Sequence, residues 1–241
     1  MTRDAIFEVI EATWPAARLV PLGPWVVRDG KGGGKRVSAA TPTAEVNPSD
    51  IPEAEEAMRG IGQQPLFMIR PGDEALDAAL QARGYRTLDP TTAYSLPITR
   101  LTDVPVPRVT AFCIWEPLAI MEEIWAQGGI GPERVAVMAR AEVKTGILAR
   151  WNEKPAGAAF AALHQKTCMV HAVEILPDQR RQGVAGWVMR AAAFWAQNQG
   201  AEHISVLCTQ ANTAANRLYS SLGFAPVGQY HYRYKDAQEV Q

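Results

Sequence analysis

The chain has 241 residues, which is enough for one large domain or two modest ones. Hydrophobic residues make up 47% of the sequence and charged residues 20%, a composition that excludes an intrinsically disordered chain. The 24 Lys and Arg residues nearly balance the 25 Asp and Glu residues, so a net charge of -1 gives no electrostatic reason to expect nucleic acid or an anionic membrane as a partner.

The cellular compartment is indicated by what the sequence lacks. Residues 1–8 do not contain the apolar core of a signal peptide, and no apolar run approaches the roughly 18 residues of a membrane-spanning helix. The three cysteines, Cys113, Cys168 and Cys208, lie far apart, which suits a reducing compartment. We therefore expect a cytoplasmic protein. Because the four histidines show no metal-ligand spacing, we expect no metal.

The first hundred residues contain short helix and strand patterns that end at Gly or Pro. The predicted elements are a helix over 4–13, strands over 25–28 and 35–38 around the Gly-rich turn 29–34, a helix with Pro52 in its first turn that runs through 53–59 to Gly60, a strand over 65–70 and a helix over 74–83. Ser49 or Asp50 would cap the second helix and Asp73 the third, which ends at Gly84.

Segment 97–110 is the best candidate for a domain boundary, because it carries Pro97, Pro105 and Pro107. The sequence therefore predicts an N-terminal half over 1–104 and a second half over 105–241. The second half has longer elements. They are a helix over 117–127, strands over 147–151, 157–164 and 167–176, a helix over 183–199, a strand over 203–207, a helix over 213–222 and an edge strand over 230–234.

A short internal repeat links the two halves. In each half a strand is followed by a helix and then by Gly and an aromatic residue, Gly84-Tyr85 in the first half and Gly223-Phe224 in the second. Aligning Gly84 with Gly223 places Leu80 opposite Tyr219. The repeat predicts a duplicated fold whose first copy lacks a hydroxyl group at that position.

The stretch from Glu174 to Arg190 predicts an anion site. A strand ends, a tight turn follows, and a long helix begins near Gly183, so free backbone N–H groups and the positive end of the helix dipole meet at one point. Such a point binds phosphates. Gly183 and Ala185 leave room for a diphosphate, and Arg180 and Arg181 add positive charge. The alternative is a glycine that serves only tight packing of strand and helix.

The longer pattern resembles the GNAT superfamily of acyl-CoA N-acyltransferases. The cofactor motif of that family, Gln/Arg-x-x-Gly-x-Gly/Ala, is present as Arg180-x-x-Gly183-x-Ala185 between a strand and a helix. A second block, Asn-x-x-Ala-x-x-Leu-Tyr-x-x-Leu-Gly-Phe, is present with Asn212, Ala215, Leu218, Tyr219, Leu222, Gly223 and Phe224. The resemblance covers about residues 111–235. It implies an α/β (α+β) fold with a mixed, mostly antiparallel sheet flanked by helices, in two GNAT-like halves, the first of them degenerate.

The resemblance also implies acetyl-CoA as the co-substrate and direct attack by a primary amine of a small molecule or a peptide. Two diverging strands would admit the thioester between them. The implied acetyl-CoA-binding residues are Ile175, Leu176, Arg180, Arg181, Gln182, Gly183, Val184, Ala185, Gly186, Asn212, Ala215 and Tyr219. The amides from Leu176 to Ala185 would hold the pantetheine arm and the diphosphate.

The chemistry of amine acylation needs an acid for the departing thiolate and a base for the amine. Tyr219 is the predicted acid, since the resemblance places its phenol near the sulfur. Glu174 is the predicted base, because a carboxylate within an apolar strand is unfavourable unless it has a function, and the raised pKa that burial would give it suits a base. The alternatives for Glu174 are a solvent-facing side chain or an ion pair with an arginine. His171, three residues earlier and so expected on the opposite face of the strand, is a second candidate base, and a water chain is a third.

Other interpretations stay open. The protein could use a longer acyl-CoA, or it could be a non-catalytic acyl-CoA-binding sensor or interaction module. The acceptor should bind near residues 115–140 and 228–234, where Trp115 and Trp125 could line a groove. The sequence does not identify the acceptor, and a monomer and a homodimer are both compatible with it.

Overall fold

The computed structural model describes residues 3–236, with side chains from residue 5 onward. The helices are α1 (Arg3–Thr13), α2 (Ile51–Gly60), α3 (Glu74–Ala82), α4 (Ala119–Gln127), α5 (Pro132–Arg140), α6 (Val184–Asn198) and α7 (Thr213–Ser221). The strands are β1 (Arg18–Leu22), β2 (Trp25–Asp29), β3 (Thr41–Pro42), β4 (Leu66–Ile69), β5 (Arg86–Pro97), β6 (Ala111–Ile114), β7 (Val143–Trp151), β8 (Lys154–His164), β9 (Thr167–Ile175), β10 (His203–Thr209) and β11 (Ala225–Tyr234). None of the helices in this part of the chain is long and apolar enough to cross a membrane.

The described chain forms two compact units. Unit 1 comprises the described residues up to Pro15 together with Ala93–Cys208 and Asn212–Gly228. Unit 2 comprises Ala16–Thr92, Thr209–Ala211 and the described residues from Gln229 onward. The units follow a different division from the predicted halves 1–104 and 105–241, because α1 and residues 93–104 belong to unit 1.

Unit 1 is built around consecutive strands in the order β10-β9-β8-β7-β6. The pairs β6–β7, β7–β8 and β8–β9 are antiparallel, whereas β9 and β10 are parallel, so the sheet is mixed and mostly antiparallel as predicted. Helices α1 and α4 pack against β8 and β9, and α6 packs on β6 to β9. The core between α6 and the sheet is rich in fully buried alanine, including Ala159, Ala161, Ala192 and Ala196. Because these side chains are small, the helix can approach the strands closely.

Unit 2 contains the antiparallel sheet β1-β2-β3 and a pairing of β4 with the last residues of β11. The predicted strand over 35–38 is wrong. Residues Lys35–Val37 form a single 3-10 turn, and β2 pairs with β1 instead. The loop that follows β2 is held by Gln63. Its Oε1 accepts from the Gly30 N–H at 2.8 Å, and its Nε2 donates to the Arg28 carbonyl at 2.7 Å.

The prediction of an edge strand over 230–234 is also wrong. Those residues end β11, and the strand order places β4 outside it. Tyr232 and Arg233 are consequently buried. The other predicted elements agree with the structure to within a few residues, including the helices that end near Gly84, Gly200 and Gly223, each of which has a positive φ. The sequence predicts no bounds for β5 or α5.

The internal repeat recurs as a contact between side chains in each unit. The alignment of Gly84 with Gly223 pairs Asp77 on α3 with Asn216 on α7, and Tyr94 on β5 with Arg233 on β11. In unit 1 the Tyr94 hydroxyl donates to Asn216 Oδ1 at 2.9 Å. In unit 2 Arg233 Nε and Nη2 donate to the two oxygens of Asp77 at 2.7 and 2.8 Å. Equivalent positions therefore meet in both units, which supports a duplicated fold.

Candidate active site

Strands β9 and β10 diverge at the centre of unit 1. Their parallel pairing runs from Thr167 opposite His203 to Val170 opposite Val206 and then stops. β9 continues to Ile175 beside β8, with Gly157 opposite Ile175, whereas β10 leaves it. The backbone groups that face each other beyond Val170 are no longer joined in a ladder. The divergence opens the sheet at the ends of the two strands.

A β-bulge in β9 sets which side chains face the opening. Ala172 has a φ of 51°, and the β8–β9 register shifts between Ala158 and Phe160. The indole Nε1 of Trp125 donates to the Ala172 carbonyl at 2.9 Å. Phe160 lies opposite His171 and Ala158 lies opposite Glu174, so His171 and Glu174 share one face of the sheet. The prediction that they face opposite sides is wrong, because the bulge adds one residue between them.

The turn that follows β9 presents free backbone donors. Arg181, with a φ of 60°, and Gly183, with a φ of 83°, both adopt the left-handed conformation just before α6. The first backbone bond of the helix runs from the Trp187 N–H to the Gly183 carbonyl, at 3.3 Å. The N–H groups of Val184, Ala185 and Gly186 therefore precede the first helical bond and point out of the helix end.

The surface over this helix end is open. Gly183 stands at the N-cap position and has no side chain to cap the helix. A Cβ atom added at Gly183 or at Gly186 would meet no heavy atom within 4 Å. Such an open, positively polarised helix end is suited to a phosphate group. The Leu176 N–H, by contrast, donates to the Ala156 carbonyl at 2.9 Å and is already used within the protein. Among the predicted acetyl-CoA-binding residues, those from Arg181 to Gly186 are therefore the better candidates to donate a backbone N–H to a phosphate.

Two predicted residues on this side of the opening are joined by an ion pair. Arg180 Nη2 lies 3.1 Å from Glu174 Oε1, and Arg180 Nε donates to the Ile175 carbonyl at 2.9 Å. The Arg180 side chain is 56% exposed and that of Glu174 is 22% exposed. The ion pair with an arginine, one of the alternatives for Glu174, is thus present. The other carboxylate oxygen faces the end of α4, where a Cβ on Gly128 would lie 2.4 Å from Glu174 Oε2.

The remaining predicted residues lie on α7, which follows β10. The Asn212 side chain caps this helix by accepting from the Ala215 N–H at 3.1 Å, so the two residues form one structural element. Tyr219 is 6% exposed and packs against Tyr94 and Phe224. Burial raises the pKa of the Tyr219 phenol above its ordinary value, and the neighbouring Cys208 thiol contributes in the same direction. The phenol therefore stays protonated at neutral pH.

His171 is enclosed beneath α1. Thr13 Oγ1 donates to the Val9 carbonyl at 2.6 Å and lies 3.0 Å from His171 Nε2, so the imidazole is the donor in the second contact. The ring is also stacked on Phe160 and tilted against Trp14, with ring centroids 6.1 and 5.0 Å away. Trp125 is fully buried as the anchor of the bulge, so the prediction that it lines a substrate groove is wrong.

The structure adds residues that the sequence did not single out. Tyr94 positions both the ring of Tyr219 and the side chain of Asn216. Gln179 is buried under the turn, and its Oε1 has no hydrogen-bond partner among the residues that the structure describes. A signal for Tyr94 was available in the repeat, because in both halves the Gly-aromatic pair is followed by a strand that carries tyrosine, Tyr94 in β5 and Tyr230, Tyr232 and Tyr234 in β11. For Gln179 the sequence offers no signal.

Comparisons with known proteins agree with this architecture. The family model described as Acetyltransferase (GNAT) family matches residues 115–224, which span the diverging strands, the turn and α7. The chain is 26% identical over 244 residues to YobR, an uncharacterised N-acetyltransferase of Bacillus subtilis strain 168, with 93% of this chain and 95% of the relative covered.

Solved structures show the same fold over nearly the whole chain. A GCN5-related N-acetyltransferase from Kribbella flavida superposes with a TM-score of 0.73 at 20% identity, covering 100% of this chain and 97% of that one. A tandem GNAT protein from the clavulanic acid biosynthesis pathway superposes with a TM-score of 0.60 at 12% identity, covering 95% of this chain and 86% of that one. Both likenesses concern the fold, and the second is to a chain with two GNAT units.

Proposed function

Because the chain belongs to the GNAT superfamily of acetyltransferases, we propose that it transfers an acetyl group from acetyl-CoA to a primary amine of a small molecule or a peptide. The observation that carries the proposal is the divergence of β9 and β10 beside the open N-terminus of α6. The opening gives a thioester access to the sheet, and the helix end offers donors to a diphosphate.

The residues at the turn fit acetyl-CoA. Free N–H groups at Val184, Ala185 and Gly186, the left-handed Gly183 and the charge of Arg180 together suit a diphosphate. Acetyl-CoA supplies an activated acyl group as a thioester. In this proposal the turn fixes the nucleotide end of the co-substrate, so that the acyl end lies between β9 and β10. Positioning of this kind contributes to the rate without any change in chemistry.

Tyr219 is the proposed general acid. A phenol is useful to a departing thiolate only if it holds its proton until that moment, and burial ensures this by raising its pKa. Tyr94 and Phe224 fix the ring on two sides, so the hydroxyl has a defined position. In this proposal Tyr219, on α7 after β10, and Glu174, on β9, give the acid and the base separate positions.

Glu174 is the proposed general base, and its ion pair with Arg180 implies how it is controlled. A diphosphate at the turn would attract the same guanidinium that the Glu174 carboxylate binds in the structure. Binding of acetyl-CoA would then weaken the pair and release the carboxylate toward the acceptor amine. The enclosure of His171 beneath α1 does not favour it as the base. A chain of water molecules remains an alternative route for the proton.

A thiol-release assay with a panel of primary amines tests the proposal. We expect at least one amine to release free CoA from acetyl-CoA in stoichiometric amounts, with product identified by mass. The matched control is Glu202→Gln, which breaks an exposed ion pair with Lys166 elsewhere in unit 1. If calorimetry shows CoA binding but no amine is acetylated, the sensor interpretation replaces the enzyme. If CoA does not bind at all, the site itself is misassigned.

A further inference from the structure

A cavity lies entirely within unit 2. Its volume is about 270 Å³, and it is formed by the end of β4, the first turns of α3 and part of β11. Its lining includes Ile69, Arg70, Glu74, Asp77, Tyr230 and His231. None of these residues belongs to the turn at Gly183 or to α7, so the cavity shares no lining residue with those parts of the proposed acetyl-CoA site. Its volume is just below the range of about 300–1,000 Å³ of pockets for drug-sized ligands, which indicates a small ligand.

The polar wall of this cavity is rigidly built. Asp77 accepts from Arg233 through both oxygens, and its Oδ1 also lies 2.7 Å from His231 Nε2. Arg233 is anchored in turn by donating to the Tyr85 carbonyl at 3.2 Å. The Arg233 guanidinium, followed by His231, lowers the pKa of Asp77, so the carboxylate stays charged and keeps the imidazole oriented. A recognition group held in this way is pre-organised for a ligand.

The loop between β4 and α3 brings charges of both signs to the same cavity. The Arg70 N–H donates to Asp73 Oδ2 at 2.8 Å, and the Gly72 N–H donates to Glu74 Oε1 at 2.9 Å, so side chains of the loop itself hold its backbone. Arg70 and Glu74 both line the cavity. A guanidinium binds carboxylates and a carboxylate binds ammonium groups, so the pair favours a ligand that carries both charges.

We propose that this cavity binds a free amino acid. Arg70 would take the α-carboxylate, Glu74 the α-ammonium group, and the wall formed by Tyr230 and His231 would contact the side chain. The site goes beyond acetyl transfer and does not depend on it, because every residue that it uses lies in unit 2.

Calorimetry with the twenty proteinogenic L-amino acids at millimolar concentration tests the proposal. We expect at least one to bind with a saturable heat. Its amide, which lacks the carboxylate, and its des-amino acid, which lacks the ammonium group, should each bind about tenfold more weakly or worse, the effect of losing a hydrogen bond between charged groups. Arg70→Gln and Glu74→Gln should cause similar losses, while CoA affinity stays unchanged and reports that the variants are folded.

The matched controls are Arg18→Gln and Glu56→Gln, which remove exposed charges of unit 2 outside the cavity and should leave amino acid binding intact. The proposal is overturned if no amino acid binds, or if binding survives both Arg70→Gln and Glu74→Gln. It is also overturned if Glu174→Gln abolishes the binding, since the amino acid would then occupy unit 1 as an acceptor. The two ligand analogues decide the matter even if a variant fails to fold.

Discussion

Substituting Glu174 by glutamine should affect cofactor binding and catalysis in opposite directions. In the free protein the Arg180 guanidinium is shared between the Glu174 carboxylate, at 3.1 Å, and the Ile175 carbonyl, at 2.9 Å. A diphosphate arriving at the turn must draw this guanidinium away from the carboxylate, and it also approaches a negative charge. Glu174→Gln removes both costs and keeps the size of the side chain. We therefore expect tighter binding of CoA.

The magnitude follows from the exposure of the pair. With Arg180 56% exposed, solvent screens the attraction, and such ion pairs contribute about 0.2–1 kcal/mol. Releasing that amount should lower the Kd for CoA by about 1.4- to 5-fold. If Glu174 is the base, acetyl transfer should fall by about 10²- to 10⁴-fold in the same variant. Titration calorimetry with CoA measures the first effect, and the thiol-release assay measures the second.

Glu202→Gln serves as the reference, because it removes an exposed carboxylate paired with Lys166 elsewhere in unit 1. This control should change neither CoA affinity nor turnover. Weaker CoA binding by Glu174→Gln than by the control would refute the competition for Arg180. Tighter binding with unchanged turnover would keep the competition but remove Glu174 as the base, leaving a water chain as the route for the proton.

Four further substitutions test other parts of the site and fold. Tyr219→Phe should slow thiol release in a single turnover by about 10²-fold or more, with CoA affinity unchanged, and normal release would exclude the phenol as acid. Gly183→Ala and Gly200→Ala should each lower the free energy of unfolding by about 1–2 kcal/mol, measured by chemical denaturation, because the two glycines have φ values of 83° and 87°. Only Gly183→Ala should also weaken CoA binding. Asp77→Asn should lower the free energy of unfolding at neutral pH, because the folded-state pKa of Asp77 lies below its ordinary value of 3.8. The stabilisation by the Asp77 carboxylate is therefore full above about pH 4 and is lost as the pH falls through the lower, folded-state pKa. At that low pH the denaturation curves of the two proteins should converge.

The turn at the start of α6 and the α7 block could be predicted from the sequence because each is local. A glycine that permits a left-handed φ, an arginine at fixed spacing and a capping asparagine determine their own surroundings within a few residues. The helices that end at Gly84, Gly200 and Gly223 were predictable for the same reason.

The errors arise where a distant residue decides a local conformation. Residues 35–38 have a strand-like pattern, but Gln63 holds the neighbouring loop from far along the chain. The assumption that side chains alternate strictly along β9 placed His171 on the wrong face of the sheet. The bulge at Ala172 interrupts the alternation, and it is held by Trp125 of α4, a residue far away in the sequence. The pairing of Glu174 with Arg180 could be weighed but not decided, since it depends on how the turn between them folds.

The repeated contact between helix and strand suggests how the two units came to differ in chemistry. In unit 1 it is a neutral hydrogen bond from Tyr94 to Asn216, placed one helical turn from Tyr219. In unit 2 the equivalent contact is the ion pair of Arg233 with Asp77, and the position of Tyr219 is taken by the fully buried Leu80. Leu80 cannot donate a proton. The Gly-rich turn that begins α6 has no counterpart before α2, the helix that precedes β4 as α6 precedes β10. We therefore expect unit 2 to keep the scaffold without acyl transfer and to present its charged groups to a ligand that is bound and not converted.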